Sequence, residues 1–390
     1  MTSWKTYKLG DICDLVAGFA FKSKDFGDYP NKVVKIADIQ PPVVNTNELV
    51  GVDMSNYDTN KLRKYIISKG DYVLAMTGAT IGKLGRITDD VEAYINQRVL
   101  TFRPNESIVD KDYLYYQLCS LNFNKYILNH IDSETAQPNI SAGSVGGFEI
   151  SLPGLEEQRR IAGILSAIDD KIENNRRINN NLEQQAQALF DEWFVNDSTQ
   201  PAEYNRASLT DIANYLNGLA MQRFRPQSDE KAIPVLKIKE LGQGMCDSSS
   251  DICSQSIDSK YIVNDGDIIF SWSGTLLVDI WCGGICGLNQ HLFKVTSDKY
   301  PKWFVYYWTK YHLAKFIRIA KDKAVTMGHI KRGDLETSEV LIPNAEILSK
   351  MDNIIAPIFD AIISRRVENK TLATLRDTLL PKLMNGEIKL

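Results

Sequence analysis

The chain says the same thing twice, and this duplication constrains its fold more than any other feature. L-G-D-I-C-D-L-V-A-G-F-A begins at Leu9, and L-T-D-I-A-N-Y-L-N-G-L-A begins at Leu209. K-Y-I-I-S-K-G-D-Y-V-L-A-M-T-G from Lys64 returns as K-Y-I-V-N-D-G-D-I-I-F-S-W-S-G from Lys260. Asn96-Gln97-Arg98 is answered by Asn289-Gln290-His291, and Leu152-Pro153 by Ile342-Pro343. A long amphipathic segment follows each copy. The copies keep one order at an offset of about 190 to 200 residues, a period too long for a solenoid. Each unit is therefore a domain plus a helix, and a tandem pair of similar modules suits two similar targets met together.

A length of 390 residues leaves room for two or three domains, each with its own core. Hydrophobic content of 44% and charged content of 24% are those of a soluble globular chain. No apolar run is long enough to span a membrane, and the polar stretch after Met1 lacks a signal-peptide core. The six cysteines form no C-x-x-C pair, so reduced thiols and a cytoplasmic location are expected, without zinc. The net charge of −4 is mildly unfavourable for a nucleic-acid binder, unless charge is segregated on the surface.

Residues 1–152 read as the first module. Short apolar runs bounded by Gly, Asp and Pro suggest strands at Val33–Ile36, Tyr72–Met76 and Val99–Phe102. Asp112 to Leu128 reads as a helix with Leu114, Leu118, Leu121 and Leu128 on one face. Residues 153–195 carry a heptad stripe through Ile161, Leu165, Ile168, Ile172, Asn175, Asn179, Leu182, Ala186, Leu189 and Trp193. At 1.5 Å per residue, roughly 38 residues of this segment make a rod about 57 Å long. The two asparagines in the stripe cost stability but can fix register with one partner. Residues 196–208 read as a linker, residues 209–343 as the second module, and residues 344–390 as a second coiled-coil helix. Asn344 is the expected cap of that helix, Asn385-Gly386 its stop, and Pro357 a kink or restart within it. The fold class is α+β: two similar globular modules and two long antiparallel coiled-coil helices in a pseudo-twofold repeat. The alternative is that each helix packs only on its own module.

Catalytic motifs are scarce. Gly78-Ala79-Thr80-Ile81-Gly82-Lys83 is one residue short of a phosphate loop, with Leu84 where Ser or Thr would hold magnesium. Neither a G-x-S-x-G elbow nor an H-E-x-x-H helix occurs. Of the four histidines, His291, His312 and His329 fall in the second module and His130 in the first, so a repeated histidine site is impossible. Glu387-Ile388-Lys389 resembles a scrap of a nuclease motif without an acidic partner. The chain suits a binding scaffold; a protein-only coiled-coil scaffold and a self-contained enzyme are the competing readings.

The segment L-P-G-L-E-E-Q-R-R-I-A-G-I-L-S-A-I-D-D-K-I-E-N-N-R-R-I from Leu152 resembles the central region of specificity subunits of type I restriction–modification systems. So do A-L-F-D-E-W-F-V from Ala188, the opening W-K-T-Y-K-L-G-D-I and G-D-Y-V-L-A-M-T-G from Gly70. The second copy, N-A-E-I-L-S-K-M-D-N-I-I, lacks the E-E-Q signature. The resemblance implies that each module is a target recognition domain reading half of a bipartite, asymmetric site in double-stranded DNA. It implies that the helix pair sets the unread gap. Two modification subunits carrying S-adenosylmethionine and two restriction subunits using ATP and magnesium would join the chain, which itself holds no cofactor and performs no catalysis.

Base edges are read by polar and cationic side chains, while phosphate contacts position the protein. Candidates in the first module are Lys22, Lys24, Thr77, Thr80, Lys83, Gln97, Arg98, Thr135, Gln137 and Asn139. In the second they are Gln222, Arg223, Arg225, Ser271, Ser273, Thr275, Gln290, His291, Thr326, His329, Lys331 and Arg332. Trp272 is more often core than a wedge. Asn96-Gln97 and Asn289-Gln290 recur in both copies, so they either read bases or share a structural task. Partner contacts are expected at Glu156, Glu157, Gln158, Arg159 and Arg160, and at Phe190, Trp193 and Phe194. Those aromatics either face a partner or close the helix pair against a module.

Overall fold

The Gly-Asp pair found in both copies is a turn. Gly70 (φ 86°) and Gly266 (φ 87°) adopt a left-handed conformation that a Cβ disfavours. The aspartate that follows accepts the backbone N–H three residues back: Asp71 from Ser68 at 2.9 Å, Asp267 from Asn264 at 2.8 Å. Each also meets a lysine, Lys111 at 2.7 Å or Lys294 at 2.8 Å. The turn launches a wholly buried strand, Tyr72–Ala75 or Ile268–Ser271.

The computed structural model describes residues 4–132, 138–196, 204–322 and 328–390. The chain divides into two units, Met1–Asp169 with Leu375–Leu390, and Asp170–Thr374. In the first unit one sheet runs in the order Cys13–Ala17, Val99–Pro104, Tyr72–Ala75, Leu84–Arg86, Val43–Val44, Ile39–Gln40. A second sheet orders Val50–Val52, Phe26–Val34, Ala93–Ile95 and Ile66–Ile67, with the middle pair parallel. The second unit repeats both. Its first sheet runs Asn214–Asn217, Leu292–Thr296, Ile268–Ser271, Leu277–Ile280. Its second runs Ile252–Ser254, Ala232–Leu236, Cys286–Leu288, Ile262–Val263, again with a parallel middle pair. The first unit adds only the two short edge strands. The class is α+β, as the residue pattern implied.

Three expectations need correction. Asn205–Ser208 is a strand paired with Glu339–Ile342, so part of the presumed linker is sheet. Residues 197–203 of that segment lie outside the described residues. The helix expected over Asp112–Leu128 is two, Lys111–Leu118 and Leu121–Asn129, because the Ser120 hydroxyl accepts the Phe123 N–H at 3.2 Å and starts a new helix. Helical counting therefore loses phase at Ser120. Leu114 and Leu118 are buried, but Leu121 (73%) and Leu128 (64%) are exposed, and Phe123 and Ile127 enter the core instead. Finally, the helix does not restart at Pro357: Ala345–Met384 is one element through that residue, whose ring lies on an exposed face.

The long helices Leu155–Phe194 and Ala345–Met384 contribute to the core of both units. In the first, Ile161 and Leu165 join Leu383 and Met384. In the second, Ala186 and Phe190 join Met351, Ile355 and Phe359. The helices are antiparallel. Asn175 Nδ2 donates to Asn369 Oδ1 (2.9 Å), Asn369 returns a bond to the Ile172 carbonyl (3.2 Å), and Asn179 donates to the Ile362 carbonyl (3.2 Å). The cost is visible too: Oδ1 of Asn175 and of Asn179 is buried without a hydrogen bond among the described residues. In each unit an arginine of the second helix ties the pair together. Arg376 meets Asp169, which accepts the Tyr116 hydroxyl, and Arg366 bridges Glu183 and Asp279, all at 2.8 Å. Asn344 caps the second helix through the Ile347 N–H (2.9 Å), and Gly386 (φ 74°) follows its end.

Candidate nucleic-acid interface

Four loop segments lie side by side in each module, joined by the same backbone bonds. In the first module, Phe19 N–H donates to Ile95 O (3.0 Å), Met76 N–H to Arg98 O (2.9 Å), Ile140 N–H to Met76 O (3.0 Å) and Gly78 N–H to Pro138 O (3.1 Å). In the second, Leu219 N–H donates to Leu288 O (3.0 Å), Trp272 N–H to His291 O (3.2 Å), Ile330 N–H to Trp272 O (3.1 Å) and Gly274 N–H to Gly328 O (3.2 Å). The frame is shared; the side chains on it differ. Met76 corresponds to Trp272, Arg98 to His291, and Asn139 to His329.

Close packing explains why glycine recurs on this frame. A Cβ on Gly18 would stand 2.3 Å from the Asn96 carbonyl, and one on Gly218 would stand 2.1 Å from that of Asn289. Asn289 Oδ1 lies 3.5 Å from the Met221 N–H, and Asn96 Oδ1 accepts the Gln97 N–H at 3.0 Å. Each recurring asparagine thus faces a backbone N–H, though a different one in each module.

The candidates separate by exposure. Lys22, Lys24, Lys83, Gln97 and Arg98 are exposed in the first module. Gln222, Arg223, Arg225, Thr275, His291, His329, Lys331 and Arg332 are exposed in the second, and Gln290 is half-buried. Arg332 shares its charge with Glu336 at 3.6 Å. His291 sits at φ 75°, unusual for a side chain with a Cβ. Thr135, Gln137 and Thr326 lie outside the described residues.

Several hydroxyls expected to read bases are spent internally. Thr77 Oγ1 donates to Pro138 O (3.0 Å), and half-buried Thr80 donates to Thr77 O (3.1 Å). Ser271 is wholly buried and donates to Thr275 O at 2.7 Å; Ser273 is buried beside it. Asn139 is half-buried, its Oδ1 enclosed without a hydrogen bond among the described residues. Trp272 is half-exposed and fixed: its ring stacks on Phe293 (5.6 Å, 28°) and its Nε1 donates to Asn217 Oδ1 at 2.9 Å. Asn217 ends a strand, and nothing in the residue pattern signals that it orients this ring.

The expected partner residues also divide. Gln158 is buried, accepting the Asp110 N–H (2.9 Å) and donating to Ile108 O (3.1 Å) and Pro153 O (2.9 Å); it locks the helix start to the first module. Phe190 and Phe194 are buried against Trp308, at 5.2 and 5.5 Å, so they close the helices against the second module. Trp193 is partly buried near Trp303. Glu156, Arg159 and Arg160 are exposed and Glu157 is half-exposed; Arg160 donates to the Leu390 carbonyl at 2.7 Å. No helix among the described residues is long and apolar enough to cross a membrane.

Two copies of one mixed sheet frame, each presenting its own set of cationic and polar loop residues, define a double reader built to distinguish two related surfaces. The type I restriction modification DNA specificity domain matches residues 1–184 and again 201–376, and the chain belongs to that family. It is 27% identical to the type I restriction enzyme MjaIX specificity subunit of Methanocaldococcus jannaschii, over 99% of this chain and 94% of that one. It is 24% identical to the HindI specificity subunit of Haemophilus influenzae over the full length of both. The fold matches a crystal structure of a type I restriction–modification S subunit from M. genitalium with a TM-score of 0.61 at 16% identity, covering 97% and 96% of the two chains. The role is thus reading DNA sequence for a type I system, as the E-E-Q-R-R-I-A segment suggested.

Proposed function

We propose that each module reads one half of a bipartite DNA site while the two long helices set the unread gap. The observation that carries this reading is the four-segment frame, identical in its backbone bonds and different in its exposed side chains. Shared bonds give both modules one docking geometry, and differing side chains give them different half-sites. Lys22, Lys24, Lys83 and Arg98 act in the first module, and Arg223, Arg225, His291, His329 and Lys331 in the second. Two modification subunits dock on the exposed residues at the helix start, Glu156, Glu157, Arg159 and Arg160, and on Trp193. They bring S-adenosylmethionine and methylate an adenine in each half. Two restriction subunits bring ATP and magnesium, and the assembly works in the cytoplasm.

Module exchange tests this reading. Residues 1–152 are replaced by those of another family member, and the adenine-methylated motif is read in cells that carry the modification subunit. One half of the motif should change while the other half and the gap persist. A motif altered in both halves, or in neither, contradicts the assignment.

A further inference from the structure

The segments that follow the close glycine place their aromatic residues differently in the two modules: Phe26 opens a strand eight residues after Gly18, whereas Phe224 lies in a turn six residues after Gly218. In the first, Phe26 is turned inward, 6.2 Å from Phe21, with the Lys35 ammonium 3.7 Å from its ring centre. In the second, Phe224 is turned outward. It is 38% exposed, joins none of the hydrophobic clusters, and has no aromatic or cationic ring partner among the described residues. Arg223 and Arg225 flank it and are also exposed.

The backbone beneath is fixed. Met221 is buried at 1%, the Phe224 N–H donates to Met221 O (2.9 Å), and the Phe224 carbonyl accepts the Ser254 N–H (2.8 Å). The ring is therefore presented by a pinned turn. An apolar ring held between two cations, beside a DNA-reading frame, matches the chemistry of nucleic acid: phosphates attract the flanks, and base faces accept the ring.

We propose that Phe224 inserts against a base step in the half-site read by the second module and unstacks it, while Arg223 and Arg225 hold the neighbouring phosphates. This rests on that module reading DNA.

The test uses the complex of the chain with its modification subunit and target duplexes carrying 2-aminopurine at successive positions of both half-sites. The two adenines to be methylated, which a methyltransferase itself takes out of the stack, are left unlabelled; at the remaining positions wild type should brighten the probe at one step of the second half-site. Phe224→Ala should abolish that rise and weaken binding roughly tenfold, the scale of one missing base–aromatic stack. Phe224→Trp should keep both, and signals from the first half-site should not change. A rise that survives in Phe224→Ala, or specific binding by wild type with no rise at any step, overturns the proposal. So does weakened assembly of Phe224→Ala with the modification subunit in the absence of DNA, which makes the ring a protein contact. Equal binding of target and scrambled duplex by wild type overturns the DNA-reading assignment itself, and the proposal with it.

Discussion

Arg223 and Arg225 are exposed and form no ion pair among the described residues, whereas Arg332 is partly neutralised by Glu336. Lys237 and, to a lesser degree, Arg225 hold the Asp251 carboxyl low, yet exposed cations outside an ion pair on a chain of net charge −4 serve a polyanion best. Replacing both with Ala should weaken DNA binding and lower the slope of log affinity against log salt by about 1 for each phosphate no longer neutralised. A salt titration on the assembled complex checks this; an unchanged slope shows that neither arginine meets a phosphate. Asp71 makes a second prediction. Burial pushes its carboxyl up, but Lys111, the Ser68 N–H and Arg103 outweigh burial and hold it below the usual range. Its contribution to stability is present above the unfolded carboxylate value of about 3.9 and is lost as pH falls through the lower folded value. Asp71→Asn should therefore flatten the acid limb of a stability-against-pH curve while costing stability at neutral pH. At this scale the site was partly legible in the sequence. Exposed cations were recoverable from residue type and loop position. Thr77, Ser271 and Gln158 were not, because a hydroxyl or carboxamide that bonds inward has the same letter as one that faces out.

Among elements, the long helices were the most legible, since a heptad stripe states both the period and the buried face. Asn175, Asn179 and Asn369 form the cross-helix bonds expected of polar residues in such a stripe. Legibility failed where a cap interrupts a helix: Ser120 resets the phase, and Leu121 and Leu128 fall on the exposed side. It failed again at Asn205–Ser208, whose polar composition hides an edge pairing set by Glu339–Ile342. The helices also carry a functional prediction. Inserting one heptad into each lengthens the pair by about 10.5 Å, close to 3 base pairs of B-DNA. The gap in the methylated motif should grow by about that amount while both halves stay the same. A gap unaltered in an active complex sinks the ruler.

At the scale of the whole chain, the duplication was plain because core packing and turn geometry restrict the same positions in both copies. Gly18 and Gly218, and the turns at Gly70 and Gly266, keep their residues for reasons of space and φ. What each copy reads was not plain, because the exposed side chains on the shared frame differ between the copies and their letters carry no code for a base. The most direct test is single-molecule methylome sequencing of cells with and without this chain, the modification subunit being present in both. The account predicts one bipartite, asymmetric adenine-methylated motif that disappears on deletion. Methylation that is unaffected by deletion would contradict it.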